Sequence, residues 1–290
     1  MHDPLTPGDF LRAIDHAGGR RAYHLHVPPT FDPAKPWPVL LVLHGSGTDA
    51  GFVIRFTGLS ELADREGFLA VFPNGTGRTP HARSWNAGGC CGTAQTRRID
   101  DVGFLAAVLD DLESAAPVDR RRVFATGVSN GAMMSYRLAD ELSHRIAAIA
   151  AVAGPMGAPT CAPGRPVPIL HFHGTADDYA PYAGGRGRRS VTQANFLSVP
   201  DTIRNWVQAN GCPDVPFETL IHDGVDDGLP IRRSIHAPGN AGSEVVLYTI
   251  EGGGHTWPGR SPSLDVLGPS TLRIDANELM WRFFQRHPLP

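Results

Sequence analysis

Residues 122–142 constrain the fold more than any other stretch of this chain. A short strand-like run, Arg122–Thr126, leads within a few residues into a segment whose apolar positions Met134, Leu138 and Leu142 share one helical face. Between them stands Gly127-Val128-Ser129-Asn130-Gly131. A strand that turns so sharply into a helix holds the central serine in a strained backbone conformation, and the flanking glycines keep side chains clear of crowded neighbours. With 33 glycines in the chain, a Gly-x-Ser-x-Gly match alone is only moderately specific. The strand–turn–helix setting makes Ser129 the expected nucleophile.

The rest of the chain repeats strand–helix units. Tyr23–Val27 and Val39–Leu43 read as strands, the second continuously apolar as a strand buried on both faces should be. Phe52–Glu66 reads as a helix and Leu69–Phe72 as a strand. Asp100 and Asp101 then open a helix carrying Val102, Leu105, Val108, Leu109 and Leu112 at helical spacing. After Arg122–Thr126 and the helix from about Asn130 to Leu142 come apolar Ile146–Ala153 and a strand at Val167–Phe172. A helix at Val199–Gln208, strands at Ile231–Ala237 and Glu244–Ile250 around Pro238-Gly239-Asn240, and a final helix at Ala276–Arg286 follow. Repetition of this kind implies one α/β domain with a mostly parallel central sheet and helices on both faces. No repeat or low-complexity linker divides its 290 residues, of which 41% are hydrophobic, enough for a core that needs no stapling.

Charge and cysteine usage narrow the function classes. A net charge of −3, from 26 Lys+Arg against 29 Asp+Glu, offers no basic block for nucleic acid or an anionic membrane surface. No run approaches the roughly 18–20 apolar residues that cross a bilayer. Met1-His2-Asp3-Pro4 has neither the basic nor the apolar region of a leader, which suggests cytoplasmic residence or a leader already removed. Of the four cysteines (Cys90, Cys91, Cys161, Cys212), vicinal Cys90 and Cys91 bond to each other only with strain, so one of them joined to a distal cysteine is expected.

A serine hydroxyl needs a base, and the base an acid to orient it, in the chain order Ser, Asp or Glu, His for this architecture. The strand at Val167–Phe172 runs into His173-Gly174-Thr175-Ala176-Asp177-Asp178, so Asp177 or Asp178 is the acid. Among downstream histidines, His222, His236 and His287 sit in hairpin-like segments or at a helix end. His255 follows a strand through Gly252-Gly253-Gly254, a loop able to swing the imidazole toward Ser129, and is the expected base. Backbone N–H groups of Asn130 and of Ser46, in His44-Gly45-Ser46-Gly47, are the expected oxyanion donors. His171 and His173 alternate on one strand without a matching carboxylate or cysteine set, so no metal and no cofactor are expected.

Assembled in order, these blocks resemble the polyhydroxybutyrate depolymerase-like esterases, which overlap the feruloyl and acetylxylan esterases of carbohydrate esterase family one. The resemblance rests on Val39–Gly45, Ser84-Trp-Asn-Ala-Gly-Gly-Cys-Cys-Gly92, Asp100-Asp-Val-Gly-Phe104 and Gly127–Met134. Further along it includes His173-Gly-Thr-Ala-Asp177, Pro181-Tyr-Ala-Gly-Gly185 and Gly252-Gly-Gly-His-Thr-Trp-Pro-Gly259. It implies a single-domain α/β-hydrolase over residues 20–287 after an extension at 1–19, and it assigns the acid to Asp177. Trp85, Trp257 and Tyr182 would wall the substrate pocket. Gly184–Arg189 is expected to be a solvated surface loop. The implied activity is hydrolysis of feruloyl or acetyl esters of plant polysaccharide, or of hydroxyalkanoate oligomers, through an acyl-enzyme. An acyltransferase, an aromatic polyester hydrolase or, more remotely, a serine peptidase on the same residues are the rivals. The partners implied are a small or polymeric ester and neither nucleic acid nor membrane, with a monomer acting outside the cytoplasm, secreted or periplasmic.

Overall fold

The segments that are apolar at every position, whatever their spacing in the chain, lie side by side at the centre of one sheet. The computed structural model describes residues 5–222, 227–260 and 265–290; the leader reading made on residues 1–4 lies outside them. Strands β1 (Gly8–His16) and β2 (Gly19–Val27) form a hairpin, followed by β3 (Trp37–Leu43), α1 (Ala50–Thr57), α2 (Leu59–Glu66) and β4 (Leu69–Pro73). A ribbon of β5 (Thr76–Thr79) and β6 (Ala82–Ser84) precedes α3 (Gly92–Thr96), α4 (Asp101–Ala115), β7 (Val118–Val128), α5 (Asn130–Glu141), β8 (Ala148–Val152) and β9 (Ile169–Gly174). A second ribbon, β10 (Gly185–Arg186) with β11 (Asn195–Phe196), leads to α6 (Val199–Asn210). Strands β12 (Phe217–Leu220), β13 (Ile231–His236) and β14 (Val245–Ile250) and helix α7 (Ala276–Gln285) complete the order.

The large sheet runs β1-β2-β4-β3-β7-β8-β9-β14-β13-β12. From β4 through β14 all neighbours are parallel, and the outer pairs are antiparallel. Strands β3, β4, β8, β9 and β14 are buried along their whole length, because helices cover both faces. On one face Leu105, Leu112, Leu138 and Trp206 from α4, α5 and α6 pack against the sheet; on the other, Val53, Leu62, Trp281 and Phe284 from α1, α2 and α7 do so. This is an α/β-hydrolase sheet of the expected kind.

Three expectations change. The helix expected over 52–66 is two helices broken at Gly58, whose φ of 61° ends α1 and begins α2. A Cβ at that glycine would meet the Arg260 guanidinium, which also donates to the Gly58 carbonyl at 3.1 Å. The extension expected at 1–19 contains β1, the edge strand of the large sheet. Its faces are alternately exposed and half-buried, so it lacks the apolar signature of a strand, and Arg12 ties it to Asp111 on α4 at 2.9 Å. Finally, Cys90 and Cys91 are paired with each other across a cis peptide that brings their Cα atoms to 3.1 Å, whereas Cys161 and Cys212 are free thiols. No helix among the described residues is long and apolar enough to cross a membrane.

Candidate active site

Register within the parallel strands decides which loops meet. Leu43 at the end of β3 lies opposite Gly127 on β7, Val128 opposite Val152 on β8, and Gly174 at the end of β9 opposite Ile250 on β14. The loops leaving these carboxyl ends carry Ser46, Ser129, Asp177 and His255.

Ser129 sits between β7 and α5 with φ 58° and ψ −121°, a conformation an L residue holds only under constraint. Its N–H donates to the Val152 carbonyl at 2.9 Å, and its own carbonyl accepts from Met133 at 3.1 Å. The flanking glycines are required by contact. A Cβ at Gly131 would lie 2.1 Å from the Leu43 carbonyl oxygen, and one at Gly127 would lie 2.5 Å from the Gly131 backbone. The turn is thus wedged against β3.

Asp177 and His255 meet because their loops are bonded to one another. Thr175 and Ala176 N–H donate to the Ile250 and Gly253 carbonyls at 2.9 Å each, and Gly252 N–H to Thr175 Oγ1 at 2.8 Å. His255 Nδ1 then donates to Asp177 Oδ2 at 2.7 Å, while Oδ1 accepts from the N–H groups of Tyr179 and Ala180 at 2.8 and 2.9 Å. Burial would raise the Asp177 carboxyl, but His255, with His173 beside it, holds it well below the ordinary carboxylate range. Asp178, the alternative acid, turns away to an ion pair with Arg188 at 2.6 Å. That pair and the bond from Arg189 to the Val266 carbonyl at 2.7 Å tie the Gly184–Arg189 loop to its neighbours.

The loop after β3 is set by a buried histidine. His44 Nε2 accepts from Gly75 N–H at 2.9 Å, so Nδ1 carries the hydrogen and donates to the Gly45 carbonyl at 2.8 Å. Thr48 Oγ1 donates to the same carbonyl at 2.8 Å. Because the peptide is planar and trans, fixing the Gly45 carbonyl turns the Ser46 N–H the opposite way. Burial pushes the His44 imidazole down to about 4, which keeps this tautomer neutral. The Asn130 side chain accepts from Trp85 N–H at 2.7 Å and donates to the Trp85 carbonyl at 3.1 Å, leaving its own backbone N–H at the amino end of α5.

Ser46, Ser129, Asn130 and His255 line one cavity of about 210 Å3. Its remaining wall is largely apolar, with Phe52 and Phe56 of α1, Met133, Phe196 and Leu267, and Tyr179 stacked on His255 with ring centroids 4.9 Å apart. No Asp, Glu, Lys or Arg stands among these lining residues.

The three expected pocket walls are elsewhere. Trp85 is fully buried behind the Ser46 loop, its Nε1 donating to the His44 carbonyl at 3.0 Å. Trp257, 1% exposed, donates to Asn277 at 2.8 Å and anchors α7. Tyr182 stands by Thr249 at 3.2 Å in a separate, polar groove with Arg204, Arg232 and Glu251. Large aromatics beside motif residues served packing, as apolar bulk near a strand end does. The rings that do line the cavity had a legible signal in part: Phe52 and Phe56 share a helix face just beyond the Ser46 loop, and Tyr179 follows the acid by two.

Known proteins resemble this chain over much of its length. The family described as "Esterase PHB depolymerase" matches residues 21–159. "Putative esterase NocK" of Nocardia uniformis subsp. tsuyamanensis is 34% identical over 86% of this chain and 74% of its own length. The bifunctional acetylxylan esterase/xylanase XynS20E of Neocallimastix patriciarum is 32% identical over 87% of this chain, and feruloyl esterase B of Piromyces equi 30% identical over 79%. The chain spans only 38% and 41% of those two longer proteins. Among solved structures, an acetyl xylan esterase from Aspergillus awamori superposes with a TM-score of 0.60 at 16% identity, over 85% of this chain and 94% of its own, a likeness of fold.

Proposed function

The chain belongs to the esterase PHB depolymerase family and is a carboxylic ester hydrolase, and on that footing we propose that it works through Ser129, His255 and Asp177. Ser129 Oγ attacks the ester carbonyl as His255 Nε2 takes its proton, and Asp177 holds Nδ1–H and steadies the imidazolium. The N–H groups of Ser46 and Asn130 receive the oxyanion. The imidazolium returns its proton to the departing alcohol, and a water activated by the same base releases the acid. The observation that carries this reading is the buried 2.7 Å bond from His255 to Asp177 at the wall of the cavity that Ser129 also lines.

The acyl group is a neutral, planar aromatic one of the feruloyl kind, ahead of acetyl or hydroxyalkanoate groups. An uncharged cavity with four aromatic rings, Phe52, Phe56, Tyr179 and Phe196, supports this, because flat apolar groups gain most from such walls. Relatives named feruloyl esterase add to that support. The protein acts as a monomer on small or polymeric esters outside the cytoplasm, where oxidising conditions keep Cys90 and Cys91 paired. Ser129→Ala should lower turnover of a p-nitrophenyl ester by about four orders of magnitude or more. Undiminished turnover would sink the mechanism, and a panel in which methyl ferulate is hydrolysed no faster than methyl acetate or hydroxybutyrate oligomers would sink the acyl assignment.

A further inference from the structure

A buried run of hydrogen bonds reaches Asp177 from behind, and no step above uses it. It starts at Tyr136 on α5, which is wholly buried, and crosses to His171 and His173 on β9. Tyr136 Oη lies 2.7 Å from His171 Nδ1, His171 Nε2 lies 3.0 Å from His173 Nδ1, and His173 Nε2 lies 2.7 Å from the Ala180 carbonyl oxygen. The two imidazole planes differ by only 1°. His173 Nε2 also stands 3.4 Å from Asp177 Oδ2, the oxygen that accepts from His255.

The ends of the run fix its protons. A carbonyl oxygen only accepts, so His173 Nε2 carries a hydrogen. One hydrogen on each ring leaves His173 Nδ1 bare to accept from His171 Nε2–H. His171 in turn offers a bare Nδ1 to the Tyr136 hydroxyl. Burial pushes the His171 imidazole well down, in keeping with that neutral form. Every donor therefore points toward Asp177, and all four ring nitrogens are taken by protein partners. A string polarised in one direction strengthens its last bond.

We propose that Tyr136, His171 and His173 are positioning residues for Asp177, holding its Oδ2 toward His255 and tempering the charge that His255 feels. The inference rests on the assignment of Asp177 and His255 made above. His173 acts twice: its Nε2–H binds the Ala180 carbonyl, closing the turn whose N–H groups hold Oδ1, and it shares that hydrogen with Oδ2. The ionisable groups facing this run are few. His173 from β9 and His255 from the loop after β14 face Asp177, Tyr182 lies edge-on to His173, and Cys161 acts on Tyr136. Asp178 faces Arg188 instead.

The test reads kcat, KM and the pH profile together. His173→Leu should lower kcat about tenfold or more with KM within about twofold, the loss of a buried charge-assisted hydrogen bond. Its acidic limb of kcat/KM should move up by about half a pH unit, because an Asp177 with one donor fewer holds the His255 imidazolium more tightly. His173→Gln, which keeps an N–H near the place of Nε2, should restore most of kcat and return the limb. Tyr136→Phe removes one oxygen from a packed ring and should lower kcat about threefold in the same pattern, so the outcome does not hang on a His173 variant folding. Wild-type kcat and an unmoved limb in Tyr136→Phe and His173→Leu overturn the proposal. So do Leu and Gln variants equally impaired with an unmoved limb. Ser129→Ala, run in parallel, separates the two readings: if it retains turnover, the triad itself fails; if it is inert while the others are unchanged, only the positioning role fails.

Discussion

Asp177 is 4% exposed and carries its charge only because His255, His173 and two backbone N–H groups surround it. Replacing it with Asn leaves the shape but offers His255 Nδ1 a donor as readily as an acceptor, and kcat should fall about 10^3- to 10^4-fold. The same carboxyl, held below its unfolded value, stabilises the fold fully above about pH 4 and loses that contribution as pH falls through its folded value. The gap in melting temperature between wild type and Asp177→Asn should therefore narrow progressively as pH falls from about 4 toward the folded value. His44 behaves with a different window. Its folded value of about 4 lies below the unfolded 6.5, so its contribution is full above pH 6.5 and is lost as pH falls toward 4, a loss of roughly 3 kcal/mol. A urea titration at pH 7 and pH 4.5 measures that loss, and equal midpoints would contradict the His44 assignment. At this scale the residues read alone left Asp177 and Asp178 as equals, and only the family resemblance chose Asp177. Nothing local separates them; the separating group is Arg188, ten residues on, which draws Asp178 outward.

Strand ends and helix starts decide which side chains converge. The turn at Gly127–Gly131 was legible because a strand, a serine between glycines and a helix follow in order, and the contacts explain why: Gly131 has no room for a Cβ against the Leu43 carbonyl. Gly131→Ala should cost about 2–3 kcal/mol and lower the melting temperature by roughly 5–10 °C, with activity lost as Ser129 shifts. A melting curve unchanged by that substitution would mean the turn is not wedged. Helix α1 carries a different lesson. Its break at Gly58 was hidden in the sequence because the residues on both sides keep helical propensity, and only the positive φ and the Arg260 guanidinium over it show the stop. The placement of α1 brings Phe52 to the cavity, stacked on Phe56 at 5.2 Å. Phe52→Ala should raise KM for methyl ferulate about fivefold, as the loss of one aromatic contact, and leave KM for an acetyl ester nearly unchanged. Equal effects on both esters would remove Phe52 from the acyl site.

Across the whole molecule, the central strands were readable because burial on both faces demands apolar residues at every position, as in Val39–Leu43. The edges were not. Strand β1 carries Asp9, Arg12 and Asp15 and offers no continuous apolar face, yet it closes the sheet beyond β2 and is pinned by Arg12 to Asp111. A protein lacking residues 1–16 should lose soluble yield or melt several degrees lower, since β2 becomes an open edge; unchanged behaviour would make those residues dispensable. Strand β12 was missed for the same reason, with Phe217 and Leu220 exposed at the opposite edge. What the sheet accomplishes as a unit is to bring Ser129 from β7 and His255 from beyond β14 to one cavity, with Asp177 from beyond β9 bonded to His255 behind its wall. The intact protein tests that convergence directly. After reaction with a fluorophosphonate, its mass should rise by one phosphonyl group carried on the peptide containing Ser129, and hydrolysis should stop in step with labelling. Complete labelling at another residue, or full turnover by protein labelled on Ser129, would contradict the account.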